Sequence, residues 1–340
     1  MNAAEPRRPT EPAGVQAWLE EAGVQAVVLG FVDPSMIVRA KVVPIRRFVA
    51  ASTAGVGLST LFNAAMSNDQ FALLDGYIDG PSGDLRLRAD ASATVPLAAM
   101  PGWAWAPVDQ FQQDGQPFVA CPRAFARRMA EAYVSRGLSV RAAFEFEFSV
   151  GVRRDDGGFE PAHEGPGYSD IALVRNHGFA LDLLTTMEAQ GLDLQQLHPE
   201  YADGQFEMSI GPRDPVAAAD AAMLVRQTAR AVAGRHGLVV SFAPQVAADT
   251  GNGTHLHVSL WEGEANLLAG GDGAAGMQPQ GEAFAAGILA ELPSIVGVTV
   301  PTTVGYLRLQ PHHWSGAMQC WGLENREAAL RFVAGVTPET

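Results

Sequence analysis

Only two of the 340 residues are cysteine, Cys121 and Cys320, and neither has a second cysteine near it in sequence. That excludes a disulfide framework and a cysteine zinc site, and it suits a reducing cytoplasm, the expected location. Runs of 18 consecutive apolar residues are also missing, so no membrane span is expected. Residues 1–14 hold Pro, Arg and Glu without an apolar run, and read as a disordered tail, not a signal peptide. Basic charge is scarce: 23 Lys+Arg stand against 37 Asp+Glu, a net charge of −14. A protein that coats nucleic acid or an anionic membrane needs clustered Lys and Arg, so neither partner is expected. No GxxxxGK[ST] loop occurs, which argues against a P-loop enzyme. What is present is 47% hydrophobic residues, enough to bury a core and to exclude intrinsic disorder. The surplus of acids leaves carboxylates free for cations.

Turn chemistry and periodicity organise the chain. A short amphipathic helix is expected over 15–22, closed by Gly23. Two β-branched runs, 26–31 and 37–43, flank Asp33-Pro34-Ser35 and read as a hairpin. DLRLR at 84–88 alternates as a half-exposed strand does. The Gln-, Gly- and Pro-rich stretch 109–122 marks a boundary, giving domains at 15–112 and 113–340. Helices are expected over 122–136, 174–190 and 214–237, the last opened by an Asp214-Pro215 cap. The Gly/Ala-rich segment 265–280 reads as a loop.

Three strand-like segments carry the chemistry. In Phe144-Glu145-Phe146-Glu147-Phe148, period 2 puts the phenylalanines on one face and both glutamates on the other. The segment QFEMSI at 205–210 repeats the pattern around Glu207, with Glu200 upstream across the Asp203-Gly204 turn. In GNGTHLHVSL at 251–260, His255 and His257 share a strand face after a glycine-rich turn. Each motif alone is also compatible with a solvated strand face. Together, on a sheet curled around a cavity, they form oxygen-rich sites suited to Mg²⁺ or Mn²⁺. Arg308, Arg326 and Arg331 lie within a short carboxy-terminal stretch and add phosphate- or carboxylate-binding capacity, or else pair with Glu324 and Glu327 at the surface. Metal-binding carboxylates with clustered arginines make up a phosphoryl-transfer site.

The order FEFEF, HPEYADGQFEM, GNGTHLHVSL, PTTVGYLRL and NREAALR resembles the glutamine synthetase family, and FVDPSMIVRAKVVP and GDLRLRADAS resemble its amino-terminal domain. The resemblance implies an α+β fold: a small β-grasp amino-terminal domain and a catalytic domain with a curved antiparallel sheet and flanking helices. It implies a homo-oligomeric ring, a dodecamer when rings stack in pairs. It implies an ATP-dependent ligase that joins the γ-carboxylate of glutamate to an amine through a γ-glutamyl phosphate intermediate. Residue by residue, Glu147, Glu200 and Glu207 match ligands of a first divalent metal, Mg²⁺ or Mn²⁺, and Glu145 and His255 match ligands of a second. His257 and Arg331 match ATP-phosphate contacts, Gly251 and Arg308 glutamate contacts, and Arg326 the catalytic residue that assists phosphoryl transfer.

Two departures shape the expectation. Where glutamine synthetases proper carry a glutamate six residues after the YxRL arginine, this chain has Trp314, and VGLSTLFNAAM lacks the acidic ammonium ligand. An indole cannot take a proton but can cover an apolar or cationic body, so Trp314 is assigned to the site of an organic amine acceptor, as in γ-glutamylpolyamine and γ-glutamylanilide synthetases. The chain also stops at Thr340, without the Arg- and Glu-bearing strand that follows in the family. Two readings therefore stay open: a carboxy-terminally truncated ligase, or a catalytically inactive assembly or binding protein of the same family.

Overall fold

The computed structural model describes residues 8–335 apart from Tyr77, Asp79, Pro81, Ala248 and Asp249. Two compact units result: Met1–Arg128 with Ala189–Gly191 and Ala219–Thr228, and Met129–Glu188 with Leu192–Ala218 and Ala229–Thr340. Residues 1–7 of the expected tail lie outside the described residues, and the remainder is partly helical, because α1 spans Pro12–Glu21 with its proline in the first turn.

In the first unit, β1 (Ala26–Val32) and β2 (Val38–Pro44) form the expected hairpin, registering Ala26 opposite Pro44. Its turn is built by Asp33, whose Oδ1 accepts the amides of Ser35 and Ile37 while Oδ2 accepts Nε of Arg39 at 2.8 Å. Then come α2 (Phe48–Thr53), β3 (Val56–Leu58), β4 (Leu85–Ala89), β5 (Val95–Pro96) and β6 (Trp103–Phe111). They complete a six-stranded sheet of order β2-β1-β6-β4-β3, with β5 on β6 and a parallel β1–β6 pair. Val15 and Leu19, one helical turn apart on α1, are fully buried with Leu29, Phe48 and Leu87.

α3 (Pro122–Val134) follows, and near its start Arg123 is almost buried among three acids. Its guanidinium donates to Asp109 at 2.8 Å, Asp90 at 2.7 Å and Asp220 at 2.9 Å. Burial pushes the Asp220 carboxyl above its usual range, and Arg123 only partly offsets this.

The second unit is organised by one long strand, β7 (Leu138–Arg153), at the centre of a seven-stranded sheet. Directly along it lie β8 (Phe159–Pro161), β10 (Gln205–Ile210), β11 (Val239–Ser241) and β14 (Thr254–Glu262), with β9 (Leu194–Pro199) and β15 (Ala265–Asn266) one strand further out. The β7 partners among the described residues are therefore four, and the sheet runs β15-β14-β7-β10-β9, antiparallel throughout. Phe146 and Phe148 of β7 and Phe206 and Met208 of β10 are fully buried. They pack with α4 (Asp170–Ala189), whose Phe179 meets Phe206 edge to face. The Asp214 cap forms as expected: its side chain accepts the Val216 and Ala217 amides of α5 (Pro215–Arg235).

A two-stranded ribbon, β12 (Gln245–Ala247) with β13 (Thr250–Gly251), precedes β14. After it come α6 (Pro279–Thr299), α7 (Thr303–Tyr306), and a parallel pair, β16 (Met318–Leu323) and β17 (Ala328–Phe332). α6 was not expected. It is long and apolar enough to cross a bilayer by length and composition, although Glu282, Glu291 and Pro293 interrupt it. The exclusion of membrane-length helices from sequence therefore does not hold for this segment, whose apolar residues are broken into short runs that never reach 18.

Arg123→Ala leaves three carboxylates desolvated without their cation, and is expected to lower unfolding free energy by about 3–5 kcal/mol. Without the arginine, the native state holds the aspartate protons more tightly than the unfolded chain does, so the loss grows as pH rises. Urea denaturation of wild type and variant at about pH 4 and about pH 8 should show the smaller gap at the acidic value.

Candidate functional site

The face of the large sheet opposite the phenylalanine core carries the acids. Register places them side by side: His198 of β9 faces Glu207 of β10, and Glu207 faces Glu147 of β7. One step along, Glu145 of β7 faces His255 of β14. The alternation that buries Phe146, Phe148 and Phe206 thus delivers the charged row by the same geometry.

Each carboxylate has its own environment. Glu147 accepts the Gly253 amide at 2.8 Å, Nε2 of Gln205 at 3.2 Å, and pairs with Nε2 of His255 at 3.1 Å. Burial pushes Glu147 up, but the His255 and Gly253 contacts outweigh it and leave it below the usual carboxylate range. His255 is raised in turn, chiefly by its bond to Glu147. Glu145 lies 3.6 Å from Nε2 of His257 and is lowered first by that contact. Glu207 is pushed up to about 7, first by burial and then by the charge of Glu145. Glu200 takes the Tyr168 hydroxyl and the Tyr201 amide.

Close approach of the backbone shapes the centre. A Cβ on Gly253 would fall 2.6 Å from Oε1 of Glu147, 2.7 Å from Nη2 of Arg308 and 2.8 Å from Nε2 of His255. Gly251 is also against Arg308, whose Cγ would be 3.2 Å from a Cβ there. Glu145, Glu147, Glu207, His255, His257, Gly251 and Arg308 are therefore brought together. Arg326 is near enough for its charge to lower Glu145. Arg331 turns elsewhere, pairing with Glu324 at 2.7 Å, which is the surface alternative the sequence left open. Trp314 is 63% exposed, with its ring centroid 6.3 Å from that of Tyr201.

The grouping differs in detail from the sequence expectation. Among the described residues, the ligand atoms that lie within 4.8 Å of one another belong to His198, Glu200 and Glu207. Glu147, expected beside Glu200 and Glu207, is occupied by His255 and the Gly253 amide instead. His198 carries no isolated motif in the sequence; it lies on β9 opposite Glu207, two residues before Glu200, which follows the end of that strand. Its Nε2 is 3.0 Å from Glu207. Tyr168, which follows Gly165-Pro166-Gly167 and has φ 60, carries no periodic signal in the sequence. The donor set of carboxylates and imidazoles, with Glu207 pushed up by burial and then by its neighbours' charge, fits a divalent cation.

With a native pKa of about 7 against an ordinary 4.5, Glu207 keeps its proton in the folded state where the unfolded chain has lost it. Stability therefore falls as pH rises between those values. In chelator-treated protein, Glu207→Gln should melt higher than wild type at about pH 8, and the gain should vanish by about pH 5. Added Mn²⁺ should raise the wild-type melting temperature more than that of the variant.

Residues 119–340 match the catalytic domain of glutamine synthetase. The chain is 48% identical over 317 residues to the γ-glutamylpolyamine synthetase of Streptomyces coelicolor, covering 92% of this chain and 68% of that protein. It is 27% identical to the glutamate–methylamine ligase of Methyloversatilis universalis, over 95% of this chain and 74% of that one. Among solved structures, a glutamine synthase homologue superposes with a TM-score of 0.81 at 34% identity, covering 97% of this chain and 74% of its own. The ADP complex of GmaS superposes with a TM-score of 0.80 at 27% identity, covering 93% of this chain and 73% of its own. With its row of acids and histidines set on a sheet that these structures share, the chain belongs to the glutamine synthetase family.

Proposed function

We propose that the protein is an ATP-dependent ligase joining the γ-carboxylate of glutamate to an organic amine. The observation that carries this reading is the single sheet face on which Glu145, Glu147, Glu207, His198, His255 and His257 meet, with Arg308 against Gly251 and Gly253. An organic acceptor is favoured by Trp314, and by relatives named γ-glutamylpolyamine synthetase, glutamate–methylamine ligase and γ-glutamylanilide synthase.

In this reading His198, Glu200 and Glu207, with Glu147 beside Glu207 in register, would hold one Mg²⁺ or Mn²⁺, and Glu145 and His255 would help to hold a second. Bound there, such ions would supply positive charge against the nucleotide phosphates. His257 serves those phosphates, whereas Arg331, paired with Glu324, is not assigned to them. Arg308 and the Gly251 backbone bind glutamate and aim its γ-carboxylate. One oxygen of that carboxylate attacks the terminal phosphorus of ATP, ADP leaves, and Arg326 supports the charge in transit. The amine nitrogen then attacks the γ-carbonyl carbon, inorganic phosphate leaves, and the amine loses a proton.

The same reading takes residues 15–112 as a small β-grasp domain, 113–340 as the catalytic domain, and the assembly as a ring of copies. The parallel β1–β6 pair and the helix packed on that sheet support the first of these.

ADP release with glutamate and a panel of amines tests the proposal. Turnover should depend on an organic amine and exceed turnover with ammonium in kcat/KM. Absence of ADP release with every amine would instead favour the catalytically inactive reading. Arg308→Ala should raise KM for glutamate by about 10- to 100-fold, the worth of a hydrogen bond to a charged group, with KM for ATP little changed.

A further inference from the structure

Trp314 is held in place by a carboxylate that the reaction itself does not need. Between α7 and β16 the chain makes a tight loop, closed by reciprocal bonds between Gln310 and Ser315: the Gln310 amide donates to Oγ of Ser315 at 3.1 Å, and that hydroxyl donates to the Gln310 carbonyl at 3.0 Å. Within it, His312 has φ 65 and Trp314 has φ 49. Both are left-handed conformations that side chains other than glycine adopt at a cost, so surrounding contacts must hold them. The contacts come from Glu327. Its Oε2 accepts the His312 amide and its Oε1 accepts the Trp314 amide, each at 2.9 Å. Glu327 is itself fixed at the head of β17, its own amide donating to Oδ1 of Asn325 at 3.0 Å. Two further main-chain bonds tie the same segments: Gly316 N to Arg326 O at 3.3 Å and Met318 N to Glu327 O at 3.2 Å.

The outcome is a chain of positioned groups. Glu327 sets Trp314, and the Trp314 ring lies against Tyr201, tilted at 56°. Tyr201 follows Glu200 and donates its amide to that carboxylate. Gly167 leaves room for Tyr201, since a Cβ there would fall 2.8 Å from Cδ2 of the ring. Tyr201 and Trp314 are 69% and 63% exposed, so two aromatic surfaces stand open beside an acid. That combination takes the hydrocarbon body of an amine by packing, and a second ammonium by cation–π attraction.

Resting on the ligase reading above, we propose that Glu327 is a positioning residue for acceptor specificity. By accepting the His312 and Trp314 amides together, it holds Trp314 against Tyr201 as a wall for the body of an organic amine. A small acceptor does not reach this wall and is indifferent to it.

The test compares n-butylamine with hydroxylamine in wild type, Glu327→Ala, Glu327→Gln, Trp314→Ala and Tyr201→Ala. Amide hydrogen exchange at His312 and Trp314 is followed in parallel. In Glu327→Ala, kcat/KM for butylamine should fall about tenfold, the scale of one aromatic packing contact, while kcat/KM for hydroxylamine and KM for glutamate and ATP stay within about twofold. Both amides should exchange faster in Glu327→Ala. In Trp314→Ala the His312 amide should keep its protection. Glu327→Gln retains one acceptor oxygen and should fall between wild type and Glu327→Ala. Tyr201→Ala should share the selective loss on butylamine. Equal losses for both acceptors in Glu327→Ala would overturn the proposal, because the effect would then pass through Arg326 or the fold. Unchanged exchange at the two amides would overturn it as well. A wild type that uses hydroxylamine but not butylamine refutes the wall and leaves the ligase reading standing. A wild type that uses neither refutes the ligase reading and the specificity claim with it, and exchange then judges the clamp alone.

Discussion

Everything at the site depends on crowding like charges on one face of a sheet. Glu145, Glu147 and Glu207 sit on adjacent strands because the residues between them, Phe146, Phe148, Phe206 and Met208, must fill the core. A shift in register of one residue would bury the acids and expose the rings, so the hydrophobic core fixes the electrostatics. The repulsion that follows is managed unequally. Glu147 is satisfied by an imidazole and a backbone amide, Glu145 by another imidazole, and Glu207 keeps the unmet part as a raised pKa. Unequal neighbours let chemically identical side chains take different protonation states near neutral pH.

This arrangement was readable from sequence where it follows period 2. FEFEF and QFEM announce both their burial and their charged face, HLH announces its imidazole face although Leu256 between the histidines is exposed, and the hairpin after Asp33 and the Asp214 cap are equally local. His198 stands beside a proline at the end of a strand, where a short alternating run is hard to see. α6 carries apolar residues, glycines and a proline around its whole circumference, so no stripe marks it as a helix. The clamp of Glu327 on Trp314 could not be read at all. It depends on two left-handed residues that are not glycine, and on an acceptor 13 positions away, for which sequence offers no pattern.

The arginines show the same division between local and distant information. Arg308 is placed by glycines that let it approach, and Arg331 by an acid seven residues before it in the chain. Arg123 was not singled out in the sequence, yet it gathers acids from positions 90, 109 and 220, a convergence only the folded chain reveals. Structural and chemical arginines are therefore distinguished by the company they keep, not by their spacing.

Gly253 has a further meaning. Where Glu147, Arg308 and His255 converge, the opposing wall is bare main chain. The dimensions of the site at that point are set by a peptide plane, which has no rotamers and no alternative side chains to try. Evolutionary change cannot widen, narrow or recharge this floor by small steps. Variation must enter from the loops, where Tyr168, Tyr201 and Trp314 stand on left-handed or exposed backbone. The floor of the site and its aromatic rim are thereby carried by different mechanical parts of the same molecule.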